Sequence, residues 1–343
     1  MTDIDNLVRE NVRNLTPYSC ARDDYKGRTG IFMDANENPF GTFNRYPDPY
    51  QKELKAALSE FRGIPEEKIF LGNGSDEIID LCFRVFCNPG SDRALAFTPT
   101  YGMYEVSASV NDVEVIKVPL NENFQIDMEK TEPHLSDRKV KLIFICSPNN
   151  PTGNAMNFKD VESLVSRFGG VVVIDEAYID FSDKPSFVRL IDSCMNLIVM
   201  QTFSKAFGLA AARVGIAYTN PAIVHYFNRI KPPYNISTIN QKTALAKLGK
   251  TGEYRSQVKK ILGERERLAR ILPGMKNIEK VYPSDANFLL VRVKDAGSIY
   301  NSLIEKGIIV RNRSSVVSNC IRITVGKRME NDKLIDALDT LMI

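Results

Sequence analysis

Apolar residues in this chain gather into short runs separated by longer amphipathic stretches. The runs at 69–71, 93–97, 113–118, 142–146, 171–174 and 197–200, and a further one after Gly215, have the length of buried strands. Between them, apolar residues recur at helical spacing. Leu54, Ala57, Leu58 and Phe61 predict a helix over 51–61, and Ile79, Cys82, Phe83 and Phe86 predict one starting at Asp76. Strands alternating with helices from 69 to 218 predict an α/β fold whose mostly parallel sheet carries helices on both faces. A long charged helical stretch over 241–272, interrupted near 249–252, leads out of that region. Strand patterns at 286–293, 308–313 and 320–326, with helices at 297–306 and 329–342, then predict a smaller α+β unit. Ile4, Leu7, Val8 and Val12 give a short helical pattern at the start.

The polar punctuation falls where function would sit in such a sheet, outside the carboxyl ends of strands. Gly72 and Gly74 make a tight turn before Ser75, a good N-cap, and Asp76. A glycine turn opening onto a helix start gathers free N–H groups and suits an anion. Tyr101 follows a strand end and a proline, where its ring could stack on a planar ligand or join the core. SPNNPTG presents Asn149 and Asn150 after 142–146. Asp175 ends a buried strand, with Tyr178 in the same turn. A carboxylate there calls for a cationic partner, although an aspartate starting the next helix would read the same way. MDANENPFG (33–41) is an ordered polar loop. NRYPDPY (44–50) presents Tyr46 on a backbone fixed by two prolines.

Lys205 stands just beyond the strand at 197–200, among small residues, between Ser204 and Arg213. Partial desolvation there disfavours the ammonium form and makes an imine-forming amine. The neighbouring hydroxyl and guanidinium could hold a phosphate.

Composition narrows the classes. With 343 residues the chain is long enough for two domains, and a net charge of +3 without a basic tract argues against nucleic acid or an anionic membrane as partner. The six cysteines, at 20, 82, 87, 146, 194 and 320, lack C-x-x-C spacing and read as buried thiols. His134 and His225, the only histidines, are too few for a triad or a zinc site, so no metal is expected. The start, MTDIDNLVRE, has no basic residues leading into an apolar core, so no signal peptide is expected, and no apolar run approaches membrane-spanning length. A cytoplasmic protein is expected.

Nearly the whole chain, through NLTPY, DANENPFG, RYPDPY, GNGSDEII, PTYGMY, SPNNPTG, VVIDEAY, TFSKAFGLAAARVG and RITVG in order, resembles the fold-type I aminotransferases that use pyridoxal 5'-phosphate (PLP). DANENPFG, RYPDPY and PTYGMYEVSA are most similar to the branch acting on histidinol phosphate. The resemblance implies a large PLP-binding domain over 40–245 and a small domain combining 1–39 with 246–343. It implies that Lys205 links to the cofactor and carries the proton, that Asp175 pairs with the ring nitrogen, and that Tyr178 and Asn150 bond the ring hydroxyl. Tyr101 would stack on the ring. Ser75, Asp76, Ser204 and Arg213 would hold the phosphate, with Tyr46 from a second subunit of a homodimer. Tyr18, Asn36, Tyr46, Arg311 and Arg322 would bind substrate, Arg313 being an additional arginine nearby. The implied reaction is amino transfer between histidinol phosphate and 2-oxoglutarate, giving imidazole acetol phosphate and glutamate, in histidine biosynthesis. An aromatic amino-acid aminotransferase and a threonine-phosphate decarboxylase share the cofactor residues. A PLP-sensing regulator would be expected to carry a DNA-binding segment ahead of the core, and none is read.

Overall fold

A computed structural model describes residues 3–19 and 30–341. Seven strands form one sheet: β1 Ile69–Asn73, β2 Arg93–Thr98, β3 Glu114–Pro119, β4 Val140–Cys146, β5 Val171–Asp175, β6 Leu197–Thr202 and β7 Val214–Thr219, in the order β1-β7-β6-β5-β4-β2-β3. β2 to β6 pair in parallel, and β7 alone runs against its two neighbours. The expected mostly parallel sheet is therefore present.

Strand periodicity explains why both faces are covered. In β4, Leu142 and Phe144 pack on one face and Ile143 and Ile145 on the other. β5 repeats this with Val171 and Val173 against Val172 and Ile174. Strands buried on both faces read as continuous apolar runs, which is how they show in the sequence. Asp175 continues the Val171–Val173 face, so its side chain emerges beneath the helix Met103–Val110.

A second sheet of antiparallel strands, β8 Ile278–Val281, β9 Phe288–Val293, β10 Arg311–Asn312 and β11 Cys320–Thr324, runs in the order β10-β11-β9-β8. The helices Ala296–Glu305 and Arg328–Asp339 cover it. The pattern at 308–313 forms a strand only over Arg311–Asn312. β8 alternates too weakly to have been anticipated.

Two boundaries differ from expectation. The N-terminal turns belong with the large sheet, not with the C-terminal unit. Ile4, Val8 and Val12 bury against the layer holding Phe70, Phe83 and Phe227, and Tyr226 Oη donates to Asp5 Oδ1 at 2.8 Å. The helix Thr251–Ile271 serves both units, with Tyr254 and Val258 packed in the large core and Leu268 in the small one.

Among the described residues Cys82, Cys87, Cys146 and Cys320 are buried free thiols and Cys194 is a free, half-buried one. Cys20 lies outside the described residues. No described helix is long and apolar enough to cross a membrane.

Candidate active site

A cleft of about 570 Å³ opens at the carboxyl ends of β4, β5 and β6. Ser75, Asp76, Tyr101, Asn150, Asp175, Tyr178, Ser204, Lys205, Arg213, Arg311 and Arg322 all line it, and so does Arg313. Residues up to 247 positions apart in sequence are brought to one wall because parallel strands deliver their ends to the same edge.

One end of the cleft is an anion cradle. Gly74, at φ +77°, is the N-cap of the helix Ser75–Phe86, which makes Ser75 the first helical residue and not the cap. A Cβ at Gly74 would meet Arg213 Nη2 at 2.4 Å, and one at Gly215 would meet the Gly74 carbonyl carbon at 2.4 Å and the Ser75 nitrogen at 2.5 Å. Both glycines are required for β7 and Arg213 to close on the helix start. Asp76 organises the rim: its Oδ2 lies 3.1 Å from Arg213 Nη2, and its Oδ1 accepts from Tyr101 Oη at 3.1 Å. Free helix N–H groups, Ser75, Ser204 and a guanidinium at one spot fit a phosphate.

Asp175 forms the floor and is buried. Its Oδ2 accepts from Tyr104 Oη at 2.8 Å, and its Oδ1 from the Ala177 N–H at 3.0 Å. Burial pushes its carboxyl up from the ordinary range, opposed by those two hydrogen bonds. Lys205 keeps access to solvent through the cleft mouth, but the cleft walls strip part of its hydration. That desolvation, followed by the positive charges of Arg322 and Arg213, lowers its pKa, with Asp175 and Asp76 acting in the other direction. Its Nζ lies 5.5 Å from the centre of the Tyr178 ring. A floor carboxylate, an activated amine and a phosphate cradle within one cleft fit PLP, whose ring nitrogen is cationic and whose aldehyde needs a neutral amine.

The opposite wall is cationic. β10 and β11 set Arg311 and Arg322 directly opposite each other. Arg322 Nη1 donates to Asn150 Oδ1 at 2.5 Å, and its guanidinium carbon lies 5.3 Å from the centre of the Phe288 ring. Burial and then the charges of Arg322 and Arg311 lower the pKa of Arg313. The Nε atoms of Arg313 and Arg322 are buried without a hydrogen-bond partner, and among the described residues none of the three arginines forms a salt bridge. Such a wall is arranged for an anion the chain does not supply.

Three expected residues lie elsewhere in the protomer. Tyr18 is exposed near Tyr50 and Arg229, while Asn36 and Tyr46 line a separate depression; the Tyr46 ring stacks on Tyr234 with centroids 4.4 Å apart. Asn149, paired with Asn150 in the sequence reading, is structural: it bonds Pro99 O, Thr152 and Thr100. Tyr104 was missed, although its position three residues after Tyr101 puts both rings at one helix start.

This chemistry at the edge of a fold-type I sheet defines the class, a PLP-dependent enzyme, and comparison narrows it. Residues 24–338 match the family of class I and II aminotransferases, and the chain belongs to that family. It is 49% identical over 346 residues to the histidinol-phosphate aminotransferase of Parabacteroides distasonis, covering 100% of both chains. It is 48% identical over 344 residues to that of Cytophaga hutchinsonii, covering 98% of this chain and 99% of the other. The crystal structure of histidinol-phosphate aminotransferase from Sinorhizobium meliloti in complex with pyridoxal-5'-phosphate superposes with a TM-score of 0.79 at 25% identity, covering 89% of each chain.

Proposed function

We propose that this enzyme transfers an amino group reversibly between L-histidinol phosphate and 2-oxoglutarate, giving imidazole acetol phosphate and L-glutamate in histidine biosynthesis. The observation that carries the reading is the convergence of Arg311, Arg313 and Arg322 on the wall facing Lys205. A phosphate dianion and the two carboxylates of 2-oxoglutarate both call for planar, bidentate donors, and one substrate leaves before the other enters. Relatives nearly half identical along their whole length carry the name of this activity.

In this reading Asp175 would hold a cationic ring N–H, Tyr178 and Asn150 would bond the ring hydroxyl, Tyr101 would cover the ring face, and Ser75 and Asp76 at the helix start, with Ser204 and Arg213, would hold the phosphate. When bound, PLP supplies an electron sink for the bond broken at the substrate carbon. Lys205 would be the residue that links to PLP and is released when the substrate amine binds. Its Nζ, whose ammonium form is disfavoured by desolvation, would take the proton from the substrate carbon and hold it for return. Arg322 fixes the substrate's anionic group, and Arg311 adds a second guanidinium.

The reading includes a homodimer in which Tyr46 of one subunit reaches the phosphate cradle of the other, with Tyr18 and Asn36 among the residues that bind substrate. The position of Tyr46 outside its own protomer's cleft supports this, as do the exposed Ile31, Met33, Phe40 and Phe43 of the same N-terminal segment. It also includes a cytoplasmic location, supported by the free thiols, and a division into a large domain, which takes the N-terminal turns onto its core, and a small C-terminal one.

Incubation of the PLP-loaded enzyme with histidinol phosphate and 2-oxoglutarate tests the reaction. Glutamate formed only when both are present is expected. Carbon dioxide released from threonine phosphate without an oxo acid would overturn it.

A further inference from the structure

Asp175 is held from behind by a group that never meets the cleft. Tyr104 sits in the first turn of the helix Met103–Val110, with only 1% of its surface exposed. Its ring is wedged between Phe144, stacked at 4.9 Å, and Tyr101, edge-on at 5.7 Å, so the phenol cannot swing away. From there Oη donates to Asp175 Oδ2 at 2.8 Å, while the Ala177 N–H occupies Oδ1. Both donors are neutral. They support the carboxylate form against desolvation without cancelling its charge, and that charge is left directed into the cleft. A cation in place of Tyr104 would satisfy Asp175 and remove its pull on a ligand. An apolar side chain would leave Oδ2 bare and favour the protonated acid.

From this geometry we infer that Tyr104 is a positioning residue: its hydroxyl keeps the Asp175 carboxylate ionised and aimed, so that Asp175 can hold a cationic ring N–H. The inference rests on the reading of Asp175 as the partner of the ring nitrogen. Tyr104 touches neither cofactor nor substrate and moves no proton. Burial and the adjacent carboxylate hold its own proton in place by raising its pKa.

The test is a titration of cofactor-free Tyr104→Phe and wild type with PLP and with an analogue carrying carbon in place of the ring nitrogen. Tyr104→Phe is expected to bind PLP on the order of tenfold more weakly and the analogue as tightly as wild type does, a hydrogen bond to a charged group being worth at least that factor. Equal weakening toward both ligands means a structural role only and overturns the inference, as does unchanged PLP affinity. Asp175→Asn, titrated alongside, separates the layers. If it loses the preference for PLP while Tyr104→Phe keeps it, only the role of Tyr104 fails. If it keeps the preference, the reading of Asp175 fails and that of Tyr104 with it. Should Tyr104→Phe not fold, 3-fluorotyrosine at position 104 retains the bond with a stronger donor. Tighter PLP binding is then expected, and no change overturns the inference.

Discussion

Arg322 Nη1 donates to Asn150 Oδ1 at 2.5 Å, tying β11, an inner strand of the C-terminal sheet, to the turn after β4 across 172 positions of sequence. The guanidinium can hold Asn150 with one arm and an anion with the other, an arrangement a lysine cannot copy. Arg322→Lys is expected to lower kcat/KM for both histidinol phosphate and 2-oxoglutarate by about ten- to a hundredfold, the range for losing hydrogen bonds to a charged group. Asn150→Ala should lower both by less. Steady-state kinetics with each substrate varied in turn checks this, and unchanged constants for Arg322→Lys would remove it from the anion site.

The turn proposed to hold the cofactor phosphate depends on an absent side chain. A methyl group at Gly215 would lie 2.4–2.5 Å from the Gly74–Ser75 backbone, which cannot yield without moving the helix start. Gly215→Ala is expected to lose about 1–3 kcal/mol of stability, the usual range for overpacking, and to bind PLP more weakly. Denaturant unfolding and a PLP titration measure the two effects. Loss of stability with unchanged PLP affinity would mean the turn does not hold the phosphate.

How legible these positions were follows from how local their signals are. Lys205, Asp175, Asn150 and the Gly72–Gly74 turn each announce themselves within a few residues, because a polar group directly after a buried strand stands out against an apolar run. Tyr104 does not, since its partner lies 71 positions away and its spacing suits an ordinary core aromatic. The arginine wall was half legible. The alternation around Arg322 predicts a strand, but the opposition of Arg311 and Arg322 is a register between strands, which neither strand encodes alone. The N-terminal turns went to the wrong unit because an amphipathic pattern says which face is buried and not against what. Tyr18, Asn36 and Tyr46 carry no local signal for a cleft, and their assignment came from resemblance alone.

Glu176, next to Asp175, supplies a pH-dependent term. Buried and accepting from Ser186 Oγ at 2.6 Å, the Phe187 N–H at 2.6 Å and Gln201 Nε2 at 2.9 Å, its carboxyl is pushed up by burial to about 7 from 4.5. Between those values the folded chain holds the extra proton. This group's contribution to stability is therefore full below about pH 4.5 and is lost as pH rises through about 7. Glu176→Gln removes the titration, so urea midpoints measured from about pH 5 to about pH 8 are expected to vary less with pH than in wild type. An unchanged slope would mean Glu176 titrates as an ordinary carboxylate.

The proposed homodimer, with Tyr46 of one subunit at the other's site, predicts complementation. Lys205→Ala should form no borohydride-stable link to PLP, and Tyr46→Ala should bind PLP weakly. Hybrids of the two chains contain one site with Lys205 from one subunit and Tyr46 from the other, both intact. Co-expression is expected to restore activity well above that of either variant alone. Activity no higher than the mean of the two would contradict a site completed by the second subunit.

The central claim is the choice of amino donor, and rapid mixing of the PLP-loaded enzyme with histidinol phosphate, phenylalanine or threonine phosphate, followed by absorbance, tests it most directly. Conversion of the cofactor absorbance far faster with histidinol phosphate than with phenylalanine is the expected result, with none of the carbon dioxide release that marks a decarboxylase from threonine phosphate. Comparable rates with phenylalanine would contradict the account and make the arginine wall a general carboxylate site.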